Sequence, residues 1–204
     1  MTEKEKMLSG ETYYARDPEL IKLHKDCRKS LKELNSITSD NVNRRFIILK
    51  NLLGKIDDGV WIESPFYCDY GTNISIGKNT FINFNCVFID NNKIEIGSDV
   101  LIGPGVHFYT PSHPLKHNER IKPNGEYVTT ALPIKVGDNV WIGGNSSICQ
   151  GVTIGSNSTI GAGSLVLNDI PNNVLAYGNP CKVCLLYTSP SPRDLSTSRM
   201  PSSA

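Results

Sequence analysis

Twelve positions in this chain carry a six-residue beat: Ile76, Ile82, Phe88, then Ile96, Ile102, Phe108, then Val136, Ile142, Ile148, Ile154, Ile160 and Val166. Ten of the twelve are Ile or Val, and the other two are Phe. A second small or apolar residue stands two positions before each beat, among them Ile74, Thr80, Cys86, Ser146, Val152, Ser158 and Ser164. Seven beats are followed directly by glycine, at Gly77, Gly97, Gly103, Gly137, Gly143, Gly155 and Gly161. Self-similarity at a fixed short period constrains a fold more tightly than any propensity, and a hexapeptide period means a β-helix.

The pleat explains why. Alternate residues of a strand share a face, so the beat residue and the one two before it point into a common interior. β-Branched side chains fill that interior stiffly, each contributing roughly 1.5–3 kcal/mol on burial. The glycine after each beat is expected to turn the corner through backbone angles that a Cβ forbids. Polar pairs such as Lys78-Asn79, Ser98-Asp99, Asp138-Asn139 and Ser156-Asn157 are expected in solvent. Alternating apolar residues would also suit a β-sandwich, but six uninterrupted units from Val136 to Pro171 favour stacked coils.

A chain of 204 residues, 39% hydrophobic, can bury one sizeable core with appendages. Lys and Arg total 21 against 20 acidic residues, a net charge of +1 that gives no electrostatic case for nucleic acid or an anionic membrane. The charged start from Met1 to Lys6 carries no apolar run, so no signal peptide is expected, and no stretch has the length of a membrane span. Cys27, Cys68, Cys86, Cys149, Cys181 and Cys184 read as a cytoplasmic set of thiols, with Cys86 on an interior position. Cys181 and Cys184 form a single C-x-x-C with no second pair to complete a zinc site.

Residues 1–55 differ from the rest. Asp17-Pro18-Glu19 is a helix start, with Leu20, Leu23, Leu31 and Leu34 on the run that ends near Asn35. A second helix is expected from Ser39-Asp40 through Phe46, Ile47, Leu49 and Leu52 to Gly54, both helices packing on one end or face of the β-helix. Residues 56–184 form the hexapeptide body. The beat is interrupted at Asp90-Asn91-Asn92 and again by a 25-residue excursion over 109–133, read as a functional loop on a rigid scaffold. The Ser/Pro-rich segment 185–204 reads as a disordered or non-native tail.

Asp69-Tyr70-Gly71-x-Asn73-Ile74-x-Ile76-Gly77, Asn83-Phe84-Asn85, Ser112-His113-Pro114, Asn139-Val140-Trp141-Ile142-Gly143 and Gly161-Ala162-Gly163-Ser164 follow one another in order. With Leu8-x-Gly10-Glu11 near the start, this set resembles the maltose/galactoside O-acetyltransferase family of hexapeptide-repeat acyltransferases over about residues 5–183. The resemblance implies a mainly β fold, a left-handed parallel β-helix with a short helical N-terminal segment. It also implies a cytoplasmic homotrimer with active sites between neighbouring subunits. Acetyl-CoA is the implied co-substrate, a sugar hydroxyl the acceptor, and no metal is required.

Moving an acetyl group from a thioester to a hydroxyl needs a base, and imidazole, with a pKa of about 6.5, suits the task. The resemblance gives that role to His113, in direct attack on the thioester. Asn83 is implied at the oxyanion or acceptor, and Asp69, Asp90 and Asn91 at the acceptor. Asn91 stands where galactoside enzymes carry an acidic residue, and Tyr14 stands near the place of an N-terminal aspartate. Trp141, Gly144, Ala162, Leu167, Asn168 and Lys182 take the coenzyme A positions, with Leu167-Asn168 replacing a Thr-Lys. His117 is expected to be exposed, His107 to line the groove or pack, and His24 to stand outside the chemistry. Three other readings stay open: an acetyltransferase for another hydroxyl acceptor such as an oligosaccharide or antibiotic, a zinc hydratase using His107, His113 and His117, and a non-catalytic scaffold.

Overall fold

The structure, a computed structural model, describes residues 1–186. The chain winds as a left-handed parallel β-helix whose coils build three flat sheets. The first sheet stacks Lys55–Ile56, Ile74–Ile76, Ile94–Ile96, Ile134–Val136 and Thr153–Ile154. The second stacks Trp61–Ile62, Phe81–Ile82, Leu101–Ile102, Trp141–Ile142, Thr159–Ile160 and Val174–Tyr177. The third stacks Phe66–Cys68, Cys86–Ile89, His107–Tyr109, Ser147–Cys149 and Leu165–Val166. Each coil visits the sheets in that order, and every partner is parallel and in register, Ile82 beside Ile102 and Ile102 beside Ile142.

All twelve beat residues, and the twelve residues two before them, are buried. The small polar ones are satisfied by the neighbouring coil. Thr80 Oγ1 donates to Gly97 O at 2.9 Å, Ser146 Oγ to Gly161 O at 3.1 Å and Ser158 Oγ to Pro171 O at 2.8 Å. Cys86 is fully buried, as its interior position requires.

The corners differ from expectation in one respect. The glycines after the beats do not supply the left-handed backbone; Asn79, Asp99, Asn139, Asn157 and Asn173 do, with φ between 55° and 59°. Asparagine and aspartate tolerate that region better than other side chains, and they add a ladder, Asn139 Nδ2 to Asn157 Oδ1 at 3.2 Å and Asn157 Nδ2 to Asn173 Oδ1 at 3.0 Å. The glycines are required by proximity instead. A Cβ on Gly97 would lie 2.7 Å from Gly137 C and O, and one on Gly143 would lie 2.5 Å from Ala162 N.

Helices seal the N-terminal end. Helix α1 (Glu3–Ser9) was not expected, although Thr2 and Glu5 form a capping box and Gly10 ends it in the left-handed region. Helix α2 (Pro18–Ser36) starts where Asp17 accepts from Glu19 N. Helix α3 (Val42–Leu52) begins after the expected Ser39-Asp40, because Asn41 N donates to Thr38 O and closes a turn first. The exposed backbone of the first coil is capped by side chains. Asn35 pairs with Phe66 N and O at 3.0 and 2.9 Å, and buried Arg45 donates to Ile62 O at 2.6 Å and Ser64 Oγ at 3.0 Å. At the other end, Lys182–Leu186 closes the second sheet as an antiparallel strand, so Leu185 is part of it. The tail expected over 185–204 otherwise lies outside the described residues.

Gly97→Ala, at ordinary φ against a backbone wall, should cost roughly 1–3 kcal/mol. Gly163→Ala, at φ 71° with nothing within 4 Å, should cost about 1 kcal/mol. Urea unfolding of the two variants checks that order.

Candidate active site

The excursion after Tyr109 is not structureless. Pro111–Ser112 pairs antiparallel with Thr130–Ala131, and a second tier continues inward, with Val128 N donating to Arg120 O at 2.8 Å and a bridge between Ile121 and Tyr127. The N-terminal segment braces this hairpin: Tyr13 N donates to Thr129 O at 3.1 Å, and buried Asn92 Nδ2 donates to Ala131 O at 2.8 Å and Met7 O at 3.1 Å.

His113 follows the outer ladder directly and is exposed. Its Nδ1 lies 2.8 Å from Val128 O. A carbonyl oxygen can only accept, so Nδ1 carries the proton and Nε2 keeps its lone pair. His107 packs on its own strand, with Nδ1 2.6 Å from Tyr109 Oη. His117 lies exposed on the short turn His117–Glu119. Among the described residues no three His, Cys, Asp or Glu side chains converge as a metal site.

The expected site residues divide between two corners of the prism. Asp69, Asp90, Asn91, the hairpin with His113, and Leu167-Asn168 all follow third-sheet strands and lead back to the first sheet. Asn83, Gly144 and Ala162 lie at the turn from the second sheet to the third, with Trp141 just before it. There Asn83 N donates to Ile102 O, as Gly103 N does to Ile142 O and Gly143 N to Ile160 O, so Asn83 carries a side chain where later coils have glycine. Asn83 Oδ1 accepts from Phe84 N at 2.8 Å. Trp141 is 56% exposed and stacks in register on Leu101, which stacks on Phe81, which stacks on Trp61. Gly144 is half-buried, and Ala162, Leu167, Asn168 and Lys182 are exposed. One chain brings neither corner to the other.

At the first of these corners the structure separates structural from accessible groups. Asp90, expected at the acceptor, is fully buried; its Oδ1 accepts from Asp69 N at 2.9 Å and Tyr70 N at 2.8 Å. It shapes the 69–73 turn from within, and burial pushes its carboxyl up to about 7. Asn91 is also turned inward, its Nδ2 donating to Tyr13 Oη at 3.0 Å, and its Oδ1 is buried without a partner among the described residues. Tyr13 is thus an N-terminal aromatic that meets this corner, and burial raises its phenol to about 12. The neighbouring Tyr14 N donates to Glu3. Asp69 keeps a partly open carboxylate, raised by burial and opposed by His24 at 3.9 Å and Arg28 at 3.4 Å. The helical spacing of His24 and Arg28 was the one sequence signal for this pair, since residues four apart share a helix face.

A capped hexapeptide β-helix is the architecture of the hexapeptide-repeat acyltransferases. Family models agree: the maltose acetyltransferase hexapeptide capping motif matches residues 6–57, and the bacterial transferase hexapeptide (six repeats) matches residues 133–168. The galactoside O-acetyltransferase of Escherichia coli is 43% identical over 151 residues, 74% of this chain and 72% of that protein. The crystal structure of a maltose O-acetyltransferase from Clostridium difficile is 46% identical with a TM-score of 0.84, covering 90% of this chain and 96% of the other. A hexapeptide-repeat acetyltransferase of Vibrio cholerae, solved with acetyl coenzyme A, is 38% identical with a TM-score of 0.84, over 92% of this chain and 100% of the other. The chain belongs to the maltose/galactoside O-acetyltransferase family and is an acetyltransferase of the hexapeptide type. Among the described residues no helix is long and apolar enough to cross a membrane.

The Asp90 carboxyl has a raised folded-state pKa, so the folded chain holds a proton that the unfolded one, near pH 4, has released. Stability should therefore fall as pH rises from about 4 to about 7. Asp90→Asn cannot ionise, and its urea midpoint should change less than the parent's across that window.

Proposed function

We propose that this chain moves the acetyl group of acetyl-CoA onto a hydroxyl of a sugar acceptor, maltose- or glucose-like or a galactoside, with His113 as general base. The observation that carries this reading is the contact between His113 Nδ1 and Val128 O at 2.8 Å, which leaves Nε2 as the proton acceptor. Nε2 takes the acceptor's hydroxyl proton as the oxygen attacks the thioester carbonyl. The C–S bond then breaks, and the thiolate leaves with the proton held by His113. Asn83, its Oδ1 already occupied by Phe84 N, offers Nδ2–H groups to the oxyanion or the acceptor. Asp69 faces the acceptor, with the inward Asn91 and Asp90 acting through Tyr13 and the turn they support.

Acetyl-CoA lies along Trp141, Gly144 and Ala162, with Leu167, Asn168 and Lys182 toward the nucleotide end. The half-buried backbone at Gly144 and the small side chain at Ala162 suit a pantetheine arm, whose amides can meet main-chain groups at any side chain. The division of the residues between two corners supports a homotrimer, in which one subunit's His113 corner meets the next subunit's Asn83 and Trp141 corner. The outward faces agree. The first sheet presents Lys55, Ser75, Glu95, Lys135 and Thr153, while the second presents Trp61, Phe81, Leu101 and Trp141. A cytoplasmic location accords with its thiols.

A second reading, transfer to another hydroxyl acceptor such as an oligosaccharide or antibiotic, is favoured by the Arg28–His24 pair beside Asp69 and by the neutral, inward Asn91.

His113→Ala should lower acceptor-dependent thiol release from acetyl-CoA by roughly 10²–10⁴-fold, measured with a sugar panel of maltose, glucose, a galactoside and a chitin fragment. Unchanged release would remove the base role. Light scattering should give three copies of the 22.5 kDa chain, and a monomer with full activity would overturn the shared site.

A further inference from the structure

Arg120 closes a circuit around His113 that the proposed chemistry does not use. Its Nε donates to Pro114 O and its Nη2 to Leu115 O, both at 2.9 Å, gripping the two residues that directly follow the histidine. Its own carbonyl accepts from Val128 N at 2.8 Å, and Val128 O is the group bonded to His113 Nδ1. One residue therefore ties down both the backbone leaving His113 and the residue that sets the ring's tautomer. Before His113 the chain is held by the Ser112–Thr130 rung. After it, Arg120 provides the hold in place of strand pairing.

A guanidinium suits this task. It is a rigid planar fork that stays charged, and its bonds to carbonyls are charge-assisted. The segment from half-buried Pro114 to exposed Leu115 would otherwise be free to pivot, carrying the imidazole with it. A displacement of about 1 Å can cost on the order of 10²-fold in rate.

We propose that Arg120 is a positioning residue that holds His113 in place and in its Nδ1-protonated tautomer by clamping the Pro114 and Leu115 carbonyls and supporting Val128. The inference rests on the base role proposed for His113. It extends that role to a residue whose side chain is spent on the main chain.

The test uses the full chain. Arg120→Ala should lower kcat by roughly 10–100-fold with the KM for acetyl-CoA unchanged, and added guanidinium should restore much of the loss. Arg120→Lys, a point charge able to serve one carbonyl, should fall between. In a His113→Ala background Arg120→Ala should cost nothing further, since a residue acting only through another is non-additive with it. Nitrogen NMR of labelled histidine should find His113 Nδ1 protonated in the parent and mixed tautomers in Arg120→Ala. A kcat unchanged in Arg120→Ala, or an equal loss with and without His113, would overturn the proposal. So would a tautomer that does not respond to Arg120. That last measurement is independent of turnover, so it judges the clamp even if His113→Ala proves fully active and the base role fails.

Discussion

Parallel, in-register stacking of one coil on the next, at the roughly 4.8 Å spacing of paired strands, is the constraint from which the other features of this molecule follow. Because register never shifts within the parallel coils, each residue sits over its equivalent in the coil below. Interior positions become columns, Ile82 on Ile102 on Ile142, and their contacts are shared along the whole prism. Corner asparagines become a ladder. The same closeness excludes any Cβ from Gly97 or Gly143, where the adjoining coil's backbone already fills the space. A single hexapeptide has none of these partners, which is why the repeat has meaning only in number.

Stacking also creates two open ends, and the chain treats them differently. At the start, polar side chains imitate the missing coil: Asn35 offers Phe66 both a donor and an acceptor, and Arg45 satisfies carbonyls under helix α3. A buried arginine at this place is sustained by several acceptors at once, in line with the cost of an unpaired buried charge. At the finish, the chain reverses and lays an antiparallel strand on the last second-sheet strand. Both devices protect strand edges that would otherwise template association.

The candidate functional residues use the same corners. The coil is interrupted where the third sheet returns to the first, and there the 69–73 turn, the Asp90–Asn92 step and the histidine hairpin are supported from inside by buried Asp90 and Asn92. Desolvation of the Asp90 carboxyl outweighs the backbone N–H groups that bond it, and the carboxyl organises a surface that it does not itself reach. The opposite corner is kept slim by Gly103, Gly143 and Gly144. A rigid scaffold thus carries one elaborate corner and one bare corner.

Much of this was legible from the sequence because it is local or periodic. The beat identified the interior residues from Ile74 to Val166 but not Ile62, Phe66 and Cys68 of the first coil or Val174 and Ala176 of the last; Asp17-Pro18 identified the start of α2, and Ser-His-Pro on the interruption pointed to the histidine. Helix α1 is also written there, in Thr2-x-x-Glu5 and Gly10, although its short, charged run carries no apolar period. What the sequence could not give are pairings between residues far apart in the chain, where no period or spacing encodes distance. Asp90 and Asn91 look like neighbouring surface groups, yet one is sealed under Tyr70 and the other against Tyr13, 78 positions away. The glycines looked like turn formers and proved to be spacers, since close approach of a neighbouring coil exists only after stacking. The sequence by itself determined the β-helix, its core and its chemical repertoire, because a strict period repeats one local geometry. Only the tertiary structure decided which polar groups are spent on the scaffold, which tautomer His113 carries, and that the candidate site divides between two corners, because these depend on contacts across the fold.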